Sequence, residues 1–250
     1  MTTLPTHAPP ASIALRTLPD AGRAERDDDG IDGAFPQLLD ECTAAARQRA
    51  VQRLCDPAAV RDRASYATWL RRTAAAWARV PLPVAPEPQR WPFDAVGPAC
   101  LDVLGPLEAD LRDVTMASGA AVCVPISLTG PVGRGRTAGR TREVLPLLAA
   151  AVYVTVEICA RTAELVPDAL ALSRDPRTPV GLRFLRRCSS ASAARTVLRG
   201  ELATWADRTR GLDPAEAHVP GPQSLELAAR TATRLATALA DALDTRRRGW

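Results

Sequence analysis

Lysine is missing altogether from this 250-residue chain, so all 32 basic side chains are arginine. Together with alanine at nearly every position where a helix tolerates it, that bias is the mark of a GC-rich bacterial genome. The arginines are scattered, without a basic block or an interleaved aromatic face, and the net charge is a mild +4 against 28 acids. That pattern argues against nucleic-acid binding. The six cysteines, Cys42, Cys55, Cys100, Cys123, Cys159 and Cys188, form no CxxC pair. They read as small buried residues of a reducing cytoplasm, neither a disulfide frame nor a zinc site. The first thirty residues lack a basic start followed by an apolar stretch, so no secretion signal is expected. The longest apolar run, Val144 to Val156, falls short of the roughly 20 residues a membrane span needs and carries Pro146. It reads as a buried helix of a cytoplasmic protein. No alternating strand pattern survives anywhere, and no internal repeat is visible.

What is present is helical periodicity over a chain with enough apolar residues, 46%, to bury a core in one domain. Residues 1–34 are rich in Pro, Asp and Arg, carry no apolar period, and read as a disordered or loosely docked arm ahead of a helical domain over 35–250. From Phe35 the residues Leu38, Leu39, Cys42, Ala45, Ala46 and Ala50 recur at helical spacing up to about Cys55. Asp56 is placed to cap a second helix with Pro57 in its first position. That helix presents Tyr66, Trp69, Leu70 and Trp77. A third is expected from about Cys100 to Val114, a fourth from Val144 to Val166, a fifth over Gly181 to Ala206 and a sixth over Ser224 to Thr245. In the last, Leu225, Ala228, Ala232, Leu235 and Leu239 share one face, with Glu226, Arg230, Arg234 and Asp241 opposite. The fold class is all-α.

Several stretches line up, in order, with one known family. "TAAAR" at Thr43 to Arg47 is followed by "YATWL" at Tyr66 to Leu70, then "EADLRDV" at Glu108 to Val114, "YVTVEICARTAEL" from Tyr153, and "GLRFLRRC" at Gly181 to Cys188. From Leu38 to about Leu243 the chain resembles the bacterial biliverdin-producing heme oxygenases, a resemblance that rests on the common order of the stretches more than on any one of them. It implies a single multi-helical heme-oxygenase-like bundle. It also implies that the first helix and the Val144 to Val166 helix flank the former heme cavity, and that Arg183 and Arg187 lie on the helix that contacts the heme propionates in many family members.

The departures bear on function. Where the resemblance places the axial histidine, this chain has Arg47, whose guanidinium stays protonated and has no lone pair for iron. The two histidines, His7 in the arm and His218 in the "EAHVPGP" loop, are not on helices that present a substitute. The family's distal-helix glycines are replaced by Ile158, Arg161, Thr162 or Ala163, which closes the space over a porphyrin. An arginine facing that cavity needs a partner, and Glu157, alone in the apolar run, is the obvious one. Two readings of the pair stay open: an internal salt bridge, or a shared site in which Arg47 grips a carboxylate or phosphate and Glu157 acts as acid or base.

The candidate catalytic residues are thus Glu157 and Arg47. The candidate ligand contacts are Thr43, Tyr66, Cys159, Arg161, Arg183 and Phe184. Cys159 is a nucleophile only if an arginine lowers its pKa. The Gly- and Arg-rich stretch Thr129 to Arg140 reads as a loop over the pocket mouth, and "RDDDG" at 26–30 as a solvated acidic run. No metal site is expected, since an iron-carboxylate version of the fold needs histidines on facing helices. The expectation is a diverged protein of bacterial specialised metabolism that binds or transforms a small organic molecule, with a carboxylate-bearing one among the candidates, without heme. The alternatives are a genuine heme oxygenase with altered ligation, heme then being the cofactor, and a non-catalytic interaction protein with a filled cavity.

Overall fold

A computed structural model describes residues 34–86, 91–117, 141–173, 181–210 and 222–244, all of them within one unit, Asp32–Trp250. His7, His218, Cys123, the acidic run at 26–30, the N-terminal arm up to residue 33 and the Gly- and Arg-rich stretch lie outside the described residues. Among the described residues seven α-helices follow one another: α1 Ala34–Leu54, α2 Arg63–Trp77, α3 Leu104–Ala117, α4 Thr141–Thr162, α5 Val166–Ser173, α6 Arg183–Arg210 and α7 Pro222–Asp244. No strand occurs among the described residues, as the absence of period-2 patterning implies.

Three boundaries differ from the sequence expectation. Asp56 does not cap α2. Its Oδ1 accepts the Ala58 N–H at 3.0 Å and starts a single 3-10 turn, Pro57–Val60. The helix proper begins after Asp62, whose Oδ1 accepts from Ser65 N at 2.8 Å. Cys100 belongs to another 3-10 turn, Pro98–Leu101, and α3 starts only at Leu104, with Asp102 Oδ1 accepting the Gly105 N–H at 3.0 Å. The fourth helix ends at Thr162, and one 3-10 turn, Ala163–Leu165, separates it from α5. Apolar periodicity runs through such turns unbroken, whereas capping geometry does not.

The helix α4 is the hub of the core, packing most extensively against α6 and α7, while α1 lies mainly along α7 and also touches α4 and α6. The residues Leu148 to Ala160 are buried without interruption, so α4 is wrapped on all sides. By length and composition the helical run Val144–Leu172 would suffice to cross a bilayer, yet 78% of its most apolar window is covered by the rest of the protein. Pro146 sits in the second turn of α4, where few intrahelical N–H bonds are lost to it. Helix α7 buries Leu225, Ala228, Ala232, Leu235 and Leu239 and turns Glu226, Arg230, Arg234 and Asp241 outward, as its pattern dictates.

A cap donated from another helix fixes the start of α6. Asp110 of α3 is fully buried, and its two oxygens accept the N–H groups of Arg183 and Phe184, each at 2.9 Å. Burial pushes the Asp110 carboxyl above the usual range, with the two backbone N–H groups pulling the other way. The Tyr66 hydroxyl donates to Gly181 O at 3.1 Å just before this helix start. Gly181 is needed for the close approach: a Cβ there would meet Asp110 Oδ1 at 2.6 Å and the Asp110 Cα at 3.0 Å. Gly181→Ala is therefore expected to destabilise the protein by about 1–3 kcal/mol. Chemical denaturation with an unchanged m-value checks this.

Candidate functional site

The apolar run of α4 is interrupted by a single acid. Glu157, in the last third of α4, is 3% exposed and cannot stay charged there without partners. Arg47 on α1 supplies one, with Nη1 3.1 Å from Glu157 Oε2. The anticipated pair is formed, across the α1–α4 contact.

Four further residues, none of them singled out by the sequence reading, complete a network. Arg195 and Arg199 lie one turn apart on α6. Arg195 grips Glu157 in a fork, Nε to Oε1 at 3.0 Å and Nη2 to Oε2 at 2.8 Å. Arg199 donates Nε to Glu157 Oε1 at 2.8 Å and makes a second fork on Asp40 of α1, Nη1 to Oδ2 at 2.7 Å and Nη2 to Oδ1 at 2.9 Å. Asp40 Oδ1 also accepts from Arg47 Nη2 at 2.7 Å and from the Tyr153 hydroxyl at 2.6 Å. Tyr153, one turn before Glu157, is fully buried, and the Arg47 guanidinium carbon stands 5.5 Å from its ring centroid. Among the described residues two carboxylates thus face three guanidiniums, a formal excess of one positive charge. Arg47 Nε is buried and has no hydrogen-bond partner among the described residues.

The electrostatics follow from this geometry. Desolvation raises the Asp40 carboxyl, but hydrogen bonds from Arg199 and Tyr153 and the charges of Arg199 and Arg47 outweigh it and hold its pKa down at about 2. Burial and the hydrogen bond to Asp40 push the Tyr153 hydroxyl well up, so it stays a donor. The two carboxylates raise Arg199 despite its desolvation. Both oxygens of Glu157 are occupied by guanidinium donors. Chemically the cluster is an anchor between α1, α4 and α6 and a concentration of positive charge.

The remaining expected contacts are distributed elsewhere. Thr43 is on α1, one turn before Arg47, and its hydroxyl is spent on Leu39 O at 2.6 Å. Tyr66 and Phe184 flank Trp69, the Tyr66–Trp69 rings stacked 5.7 Å apart and the Trp69–Phe184 rings 6.0 Å apart, all buried. They fill the junction of α2 and α6. Cys159 is buried beside Cys188, whose thiol is pushed far up by burial and by that neighbour. Arg161 and Arg183 are exposed, paired with Glu164 at 3.3 Å and Asp113 at 2.9 Å. Of the expected set, Arg47 and Glu157 are in direct contact, and Tyr66 and Phe184 meet elsewhere, on either side of Trp69.

A heme iron does not suit these residues. Arg47 offers no lone pair, its Nη atoms are committed to carboxylates, and Ile158 and Thr162 are buried on the facing helix. No group of three or more His, Cys, Asp or Glu side chains suited to a metal occurs among the described residues. The chain matches no family model, no curated protein and no solved structure.

Two outcomes follow from the network. Asp40 has a folded-state pKa depressed from an unfolded value near 4, so its contribution, about 1–2 kcal/mol after screening, is present above pH 4 and lost as pH falls toward about 2. Acid titration of stability should show that loss in the wild type and not in Asp40→Asn. Arg199→Lys keeps the charge but cannot fork onto Asp40 while also holding Glu157, and is expected to cost about 2 kcal/mol in thermal or denaturant unfolding.

Proposed function

We propose that this protein binds a small organic anion, a carboxylate-bearing molecule by preference, at the solvent-reaching edge of the arginine cluster, without heme. The observation that carries this reading is the charge imbalance, three guanidiniums against two carboxylates in a setting where Glu157 is 3% and the Arg47 side chain 17% exposed. An uncompensated cation in such surroundings is costly, and a further anion lowers that cost. Access exists at one side, since the side chains of Asp40, Arg195 and Arg199 are about a third exposed. The buried Nε–H of Arg47 is a donor in want of an acceptor. Ligand pockets commonly join such a polar cluster to apolar walls.

Binding is favoured over acid–base turnover at this position, because both oxygens of Glu157 already face guanidinium donors. The reading of a non-catalytic protein with a filled cavity has its own support, the direct Arg47–Glu157 contact where the family resemblance puts a cofactor. The heme-oxygenase alternative has the least support, for the reasons of ligand chemistry given above.

Arg195→Ala separates these readings, because it leaves two guanidiniums facing two carboxylates. Small mono- and dicarboxylates should raise the melting temperature of the wild type in a concentration-dependent way. Arg195→Ala should weaken that response at least tenfold while remaining folded. Hemin should give no stoichiometric, sharp Soret band. Equal responses of wild type and variant, or none from any carboxylate, would count against the anion site, and a one-to-one hemin complex that yields biliverdin would establish the heme alternative instead.

A further inference from the structure

Two carboxylates sit in the arginine cluster, and they are held differently. Glu157 is enclosed, 3% exposed, whereas the Asp40 side chain is 30% exposed, at the rim. Four donors from three helices nonetheless converge on Asp40. Arg199 of α6 forks onto it, Nη1 to Oδ2 at 2.7 Å and Nη2 to Oδ1 at 2.9 Å. Arg47 of α1 donates Nη2 to Oδ1 at 2.7 Å, and the Tyr153 hydroxyl of α4 donates to the same oxygen at 2.6 Å. A guanidinium fork with flanking donors is the arrangement by which proteins hold a free carboxylate. Here the chain supplies the carboxylate itself.

Each donor group is also held independently of that carboxylate. Arg199 is bound to Glu157 Oε1 as well, through Nε at 2.8 Å and Nη2 at 2.7 Å. Arg47 is bound to Glu157 Oε2 through Nη1 at 3.1 Å, and its Nη2 lies 3.5 Å from the main-chain carbonyl of Asp40. Tyr153 is fixed by its complete burial in α4. The enclosed acid thus preorganises the donors, and the rim acid is their occupant. Despite desolvation, hydrogen bonds from Arg199 and Tyr153 hold the Asp40 carboxyl at about 2, so at neutral pH one carboxylate can replace another there with no proton moved.

We propose that Asp40 is a tethered occupant of the carboxylate site, and that a ligand's carboxylate enters by taking its place in the fork of Arg199 while Asp40 turns to solvent. This rests on the anion-binding reading above and adds to it a point of attachment and an internal competitor. Turned outward, Asp40 stays on α1 within roughly a Debye length, about 8 Å, of the arginines, so the entering anion adds to the negative charge they face. Affinity for the ligand is reduced by the fraction of time that Asp40 fills the fork.

The test is a thermal-shift titration of the full-length protein with sodium formate, against sodium chloride at equal ionic strength, in the wild type, Asp40→Asn and Asp40→Ala. Both variants lose the same charge, but asparagine still fills the position, whereas alanine leaves room for the carboxylate that formate supplies. If Asp40 occupies the site, the formate concentration at half the maximal rise in Tm is lower in Asp40→Ala than in Asp40→Asn by about tenfold or more. In the wild type, saturating formate moves the carbon-13 resonance of the Asp40 carboxyl, assigned by its absence from Asp40→Asn, toward that of a solvated aspartate. Equal responses of the two variants, or a wild type that formate stabilises without moving the Asp40 resonance, overturn this inference and leave the anion site standing. No response of the wild type to formate, whatever the variants do, removes the anion reading and this inference with it. If Asp40→Ala does not fold, the wild-type carboxyl resonance decides alone.

Discussion

One buried carboxylate constrains the centre of this molecule. Glu157 lies in the most enclosed helix, and a charge there is tolerated only if surrounding groups replace the water it has lost. Three arginines from two other helices do so, and their own excess charge in turn calls Asp40 and the Tyr153 hydroxyl into place. The fork geometry matters as much as the charge, because each bidentate contact fixes the rotation and height of one helix against another. Nonspecific apolar packing, which dominates the α4–α7 contact, leaves such freedom unresolved. The cluster thereby specifies how α1, α4 and α6 meet, while the alanine- and leucine-rich faces around it provide the bulk of the stabilisation.

The helical class was legible because amphipathic spacing survives in the sequence: α7 buries the five residues its pattern places inside, and α1 starts and stops within a residue of the expected bounds. Internal breaks were less legible. The Asp56 and Asp62 caps look alike in sequence, and which of them opens a full helix depends on how the chain packs after the turn. Of the site, Glu157 stood out because it is a lone acid in an apolar run, and Arg47 because a family resemblance pointed to its position. Arg195 and Arg199 gave no such cue among 32 arginines, although two like charges one turn apart are unfavourable on a solvated face unless acids lie nearby. Asp40 was masked by the polar residues around it on α1, and Tyr153 by its apolar neighbours. For all four, the deciding fact is tertiary.

The same cluster links fold to function. The proposed anion site rests on a network in which, among the described residues, cations outnumber anions. On that proposal arrangement and affinity share one cause, since the forks that set the helix positions would also hold the donors in place before a ligand arrived.

The most direct measurement is a double-mutant cycle on Arg47 and Glu157, comparing the unfolding free energies of the wild type, Arg47→Met, Glu157→Gln and the double variant. If the buried network organises the core, the two changes are strongly non-additive, with a coupling energy of about 1.5 kcal/mol or more. Additivity within about 0.3–0.5 kcal/mol would mean that the two side chains act independently, and would contradict the account.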